Sequence, residues 1–253
     1  MSRRVVIAGS GEHARVVAEA AVAAGLEPLG WTGPVPAPGG GAAGAGVGTG
    51  SGSGPGAGAG TGAGAASPSP LPRLGTDAEL AARLGGLPAA DRPSLVLGFG
   101  GPVAARRRVA AAFGAGATWA TVVHPAAWVS PSATLGPGAV VLAHAVVNTG
   151  AVIGAHAIVN SGAIVEHDVV VGDHAHIAPG AAIGGGARIG EDAFIGLNAT
   201  VRDHVSVGAG ATVGMSAAVT ADVPAMARVG GVPARPLATG DAAGLADGDA
   251  VHG

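Results

Sequence analysis

Sixteen six-residue units follow one another from residue 128 to residue 223 without an insertion, from WVSPSA and TLGPGA through to TVGMSA and AVTADV. The second residue of every unit is Val, Leu or Ile, and the sixth is Ala or Val. An α-helix repeats near 3.6 residues and a simple strand near 2, so neither produces this period. Units of six with one large and one small inward residue specify a left-handed parallel β-helix, three units to each triangular coil. The composition leaves few other ways to build a core. Aromatic residues make up 2% of the 253-residue chain and cysteine is absent, while glycine contributes 48 residues. Ordering the backbone of a coil costs ~1–2 kcal/mol per residue, and each buried aliphatic side chain returns only ~1.5–3 kcal/mol. Flat outer faces packing on one another would add to that return, which favours a threefold homo-oligomer.

Ahead of the repeat the pattern is α/β. "RVVIAG" reads as a strand, followed by a glycine turn, the helix "HARVVAEAAVAAGL" and a second strand, "EPLGWT". Residues 33–70, rich in Gly and Ala, cannot bury enough apolar surface to offset the entropy of ordering and read as a flexible insertion. The pattern resumes with the helix "TDAELAARLGG" capped by Thr76, the strand "SLVLGFG" and the helix "VAARRRVAAAFG". The expected organisation is a Rossmann-like substrate-binding domain over 1–122, a β-helix domain over 123–237 and a disordered tail over 238–253.

Charge and hydropathy narrow the function classes. A net charge of −3, with arginine supplying all 13 cations, gives no basic surface for a nucleic-acid backbone. No charged residue other than histidine occurs between Val109 and Val165, yet Pro125, Pro131 and Pro137 break any helix long enough to span a membrane. The short apolar run at the N-terminus is interrupted by Glu12 and His13, so no signal peptide is expected. The absence of cysteine fits a reducing cytoplasm.

The stretch "NSGAIVEHDVVVGDHAHIAPGA" places three histidines close together. The repeat sorts them. Position five of the units is filled mostly by Gly, His, Asp, Asn and Ser, residues that tolerate a left-handed backbone, so His144, His156, His174 and His204 read as corner residues. His167 at position four and His176 at position one fall outside that slot, and both should face outward. A zinc site of histidines needs three ligands, and the spacings supply at most the stacked pair His156 and His174, so no metal is expected. A general base is the other option. His167 is flanked by Glu166 and Asp168, either of which could orient an imidazole for base-assisted acyl transfer.

The segment "VNSGAIVEHDVVVGDHAHIAPGA", with "IGLNATV" and "GVPARPL" after it, resembles the bacterial hexapeptide-repeat sugar acetyltransferases. These include sialic acid O-acetyltransferases and nucleotide-amino-sugar N-acetyltransferases. "VVIAGSGEHARVV" is similar to that family's small Rossmann-like substrate domain. The resemblance implies a homotrimer that uses acetyl-CoA as co-substrate and a sugar as acceptor. It implies that His167 is the base and Asp168 its partner. His176 would line the acetyl-CoA pocket from the neighbouring subunit, with Leu197 and Met215 along the pantetheine arm. Arg235 would contact a CoA phosphate. The turn Gly11, Glu12 and His13, with Gly100 or Gly101 after a later strand, would hold the sugar nucleotide.

This chain departs from the family in having "GEHA" where Gly-His-Gly is usual, and "TG" where an aspartate pair follows the second strand. A carboxylate at Glu12 would repel a diphosphate, so these departures point to a free or differently linked sugar. A nicotinamide cofactor is not expected, because no acidic residue ends the second strand. Two rival readings share the fold: an acetyltransferase for serine or another small molecule, and a non-catalytic β-helical scaffold.

Overall fold

The structure, a computed structural model, describes residues 3–9, 12–33, 71–98 and 103–237. The insertion apart from Gly33, the tail, Gly11, Gly100 and Gly101 lie outside the described residues, as does the side chain of Glu12. The six-residue repeat folds as a parallel β-solenoid of about six turns. Each unit contributes a two-residue strand, and residues 18 apart in sequence pair in register, as in Ile158 with His176 and His176 with Phe194. The strands stack into three sheets, which are the three faces of the prism. Position-two residues such as Val159, Ile177 and Ile195 and position-six residues such as Ala157, Ala175 and Ala193 point inward and are buried. That is why the repeat tolerates so few residue types at those two places.

Position five turns the corners. Fourteen consecutive position-five residues, from Gly138 to Ser216, have φ between 54° and 72°, and His144, His156, His174 and His204 are among them. The first and last units differ. Ser132 Oγ instead accepts from the Gly150 amide at 3.1 Å, and Asp222 accepts from the Ser206 amide at 2.8 Å, so each ties an end of the solenoid to the adjacent coil.

The N-terminal elements form a three-stranded parallel sheet in the order β2–β1–β3, with β1 Arg4–Ala8, β2 Glu27–Trp31 and β3 Ser94–Leu97. Helices α1 Glu12–Ala23, α2 Asp77–Gly85 and α3 Val103–Ala112 match the expected segments to within a few residues at each end. Thr76 caps α2 in a capping box: its Oγ1 accepts from the Glu79 amide, and Glu79 accepts from the Thr76 amide at 2.8 Å. Thr76→Ala should therefore cost about 1 kcal/mol, read as a small drop in melting temperature without loss of activity.

Val17, Ala20 and Ala21 of α1 share one apolar cluster with Val122, Val140 and Leu142 of the solenoid. The α/β unit thus sits on one solenoid face, the one carrying Val122, Val140, Ile158, His176 and Phe194. The other two faces are left to the outside.

Candidate active site

His167 and Asp168 lie in one corner turn, and their side chains are largely exposed, at 59% and 72%. Asp168 occupies the left-handed slot with φ 59°, which swings its carboxylate back toward its neighbour. His167 Nδ1 meets Asp168 Oδ2 at 3.0 Å. That hydrogen bond, and secondarily the Asp168 and Glu166 charges, raise the His167 pKa from its ordinary value. With Nδ1–H held by Asp168, Nε2 is the free basic nitrogen. Glu166 is engaged elsewhere, accepting from Asn148 Nδ2 at 3.0 Å one coil earlier. Of the two carboxylates left open by sequence, Asp168 makes the contact with the imidazole.

His176 points away from the coil axis, as position one predicts, but it is not exposed. It is 8% accessible, because the α/β unit covers it. His13, in the first turn of α1, approaches it with ring centroids 6.3 Å apart, and Phe194 meets it edge-on at 5.3 Å. Asn160 Oδ1 accepts from the Ser161 amide, which leaves Asn160 Nδ2 to donate to His176 Nε2 at 3.1 Å. Burial, and then the positive charge of Arg106, push the His13 pKa down, and its Nε2 has no hydrogen-bond partner among the described residues. The sequence could not place His13 beside His176, since that contact depends on how α1 docks.

Leu197 and Met215 are exposed, at 46% and 60%, and stack one coil apart on a different corner, with the Ser216 amide donating to Leu197 O at 2.7 Å. One solenoid face separates that corner from the His167 corner. A single chain therefore does not bring Leu197 and Met215 to His167. Arg235 is exposed and bonds the adjacent Ala234 carbonyl.

The third corner holds residues that the sequence reading missed. Arg106 is the largest fully buried side chain, and its guanidinium donates to His174 O at 2.9 Å and to His156 O. The two imidazoles stack with centroids 4.8 Å apart, and Trp119 caps His156 edge-on at 4.6 Å. A usable signal was present: Val103, Arg106, Val109 and Phe113 recur at helical spacing, so Arg106 sits on the apolar stripe of its helix.

Burial, then His174 beside it, then the Arg106 cation lower the His156 pKa to about 4, and burial with the neighbouring arginines lowers that of His174. Both rings are neutral at pH 7 and must be charged on unfolding in acid. The unfolded chain binds more protons below its ordinary histidine pKa of ~6.5, so stability is full above that pH and falls as pH drops toward 4. Melting temperature recorded from pH 7.5 to pH 4.5 should show this decline. It should be shallower in His156→Asn, whose side chain also tolerates the left-handed corner. An unchanged slope would assign the acid sensitivity elsewhere.

Among the described residues no group of three or more His, Asp or Glu could hold a metal ion. None of the described helices is long and apolar enough to cross a membrane.

Known proteins share this fold. Residues 150–185 match the family described as bacterial transferase hexapeptide (six repeats). No curated protein matches the sequence significantly. Among solved structures, the acetyltransferase domain of PglB from Neisseria gonorrhoeae, in complex with acetyl coenzyme A, is 32% identical. The match covers 94% of this chain and 100% of that one, with a TM-score of 0.72. PerB from Caulobacter crescentus, in complex with CoA and GDP-perosamine, is 31% identical over 92% of this chain and 97% of that one, with a TM-score of 0.73.

Proposed function

The chain belongs to the hexapeptide-repeat sugar acetyltransferases, and we propose that it acetylates the amine of a nucleotide-linked amino sugar from acetyl-CoA. This reading is preferred over the free sugar suggested by Glu12 because PerB, similar over almost the whole chain, holds CoA and GDP-perosamine. The observation that carries this reading is the His167–Asp168 pair on a chain that aligns over almost its whole length with an acetyltransferase domain bound to acetyl-CoA and with a protein bound to CoA and GDP-perosamine. His167 Nε2 takes a proton from the acceptor amine as its nitrogen attacks the thioester carbon. The C–S bond then breaks, and CoA leaves as the thiol after receiving that proton. No cysteine is available for a covalent relay, so transfer is direct.

The active unit is a homotrimer in this reading. The face between the His167 corner and the Leu197 corner presents Trp128, Val146, Ile164 and Ala182 outward, and Trp128 is 60% exposed. Packing such faces together would bury apolar surface and bring Leu197 and Met215 of one subunit toward His167 of the next. His176, Leu197 and Met215 then serve acetyl-CoA, while the α1 turn with His13 serves the sugar. Light scattering should give three chains per particle.

The direct test is thiol release from acetyl-CoA across GDP-, UDP- and dTDP-linked amino sugars, free amino sugars and their hydroxyl counterparts. Turnover confined to nucleotide-linked amines is expected. Turnover only with hydroxyl acceptors or serine would overturn the acceptor assignment. Absence of both turnover and CoA binding would favour the scaffold reading.

A further inference from the structure

Position four of the sixteen units holds Pro, Ala, Thr, Ser, His, Asp, Glu, Leu or Met at fifteen places and glycine at one, Gly185. The backbone at this point of the corner thus accepts a Cβ everywhere else in the solenoid. Gly185 has no left-handed φ to explain the exception. Its neighbour does. Gly185 stands one coil after His167 at the same corner, and a Cβ built on it would lie 2.5 Å from His167 Nε2 and 2.7 Å from Cε1. Real Cβ atoms do not approach so closely, so the imidazole occupies the space that a side chain at 185 would fill.

We propose that Gly185 is a positioning residue: its missing side chain is the seat on which the His167 imidazole lies, with Nε2 held over the neighbouring coil and Nδ1 turned to Asp168. The far wall of the seat is made in the same way, since a Cβ on Gly150 would meet Asp168 Oδ1 at 2.6 Å. Gly150 differs in kind, because it is a corner glycine with φ 68°. Gly185 carries no backbone requirement, so its effect on the ring can be isolated. The charged groups that face the imidazole are Asp168 and Glu166, both from its own turn. A methyl group at 185 would rotate the ring off the seat, break the Nδ1–Asp168 contact and cover Nε2.

The inference rests on His167 being the base, and Gly185→Ala tests the two ideas separately. NMR titration of the His167 ring in the intact protein reads the seat. Loss of the Asp168 contact lowers the imidazole pKa toward that of an ordinary histidine, so the His167 titration midpoint should move down in the variant. Steady-state kinetics read the consequence. A fall in kcat of ~10²-fold, the scale of a displacement near 1 Å, is expected with little change in the KM for acetyl-CoA. In the His167→Ala background the same substitution should cost almost nothing, because the displaced ring is gone.

An unchanged His167 titration overturns the seat, whatever happens to turnover. Equal losses of rate in both backgrounds overturn it as well. A shifted titration with undiminished turnover leaves the seat standing and removes His167 from the chemistry.

Discussion

His167→Ala is expected to reduce acetyl transfer by ~10²-fold or more while the protein stays folded. The second half of that expectation comes from the structure as much as the first. The side chain is 59% exposed and hydrogen-bonds to Asp168, whose carboxylate is more exposed still. Neither group is a structural brace, so truncation leaves no buried polar atom behind.

The rate loss follows from the role. Without Nε2 the acceptor amine must lose its proton to water as it attacks, and binding of both substrates remains to give residual turnover. The kinetic signature is a drop in kcat at nearly constant KM for acetyl-CoA, since a base that takes the proton only as bonds change contributes to the transition state and not to binding. Asp168→Asn should give a smaller loss and move the acidic limb of the rate profile to lower pH, because the Asp168 hydrogen bond is the first cause of the raised His167 pKa. A His167→Ala enzyme that turns over normally would remove the base, and with it the mechanism.

What the sequence made legible is local and periodic. Val or Ile at position two faces inward because a two-residue strand has one inward side chain, and a glycine-or-polar slot at position five follows from a left-handed turn. The structure shows both with few exceptions. His167 stood out because it fell outside the position-five slot that takes His144, His156, His174 and His204, whereas Gly185 stayed hidden, since a glycine in a glycine-rich repeat attracts no notice. What was not legible depends on docking one unit against another. His176 was expected to face outward, and it does so with respect to its coil, but α1 covers it. His156 and His174 fit the corner slot well enough that nothing pointed to a second role, yet both carbonyls are bonded by Arg106 from a helix that lies earlier in the chain. Such contacts leave no fixed spacing to read.

Replacement of Arg106 by methionine should therefore lower stability more than any surface substitution, by about 3 kcal/mol. The guanidinium is buried, and desolvation pulls its pKa down to about 10, so it is still a cation at neutral pH. Among the described residues Asp192 is the acidic group that offsets this cost, acting through its charge, and the hydrogen bonds of the guanidinium go to the His174 and His156 carbonyls. Methionine fills much of the same volume without a donor, so both carbonyls would be left in an apolar corner beneath Trp119. For a chain of this size that loss corresponds to a fall in melting temperature of roughly 6–12 °C.

Arg107, the next residue, supplies the control. It donates to Asp192 at 2.8 Å and lies 3.3 Å from Glu191, but 42% of its side chain is exposed. Arg107→Ala should cost less than about 1 kcal/mol, and less again in high salt. Equal destabilisation by the two substitutions would mean that surface charge, rather than the buried donor, ties α3 to the solenoid. The predicted inequality makes the buried Arg106 donor, rather than the surface Arg107 pair, the stronger polar tie between α3 and the solenoid.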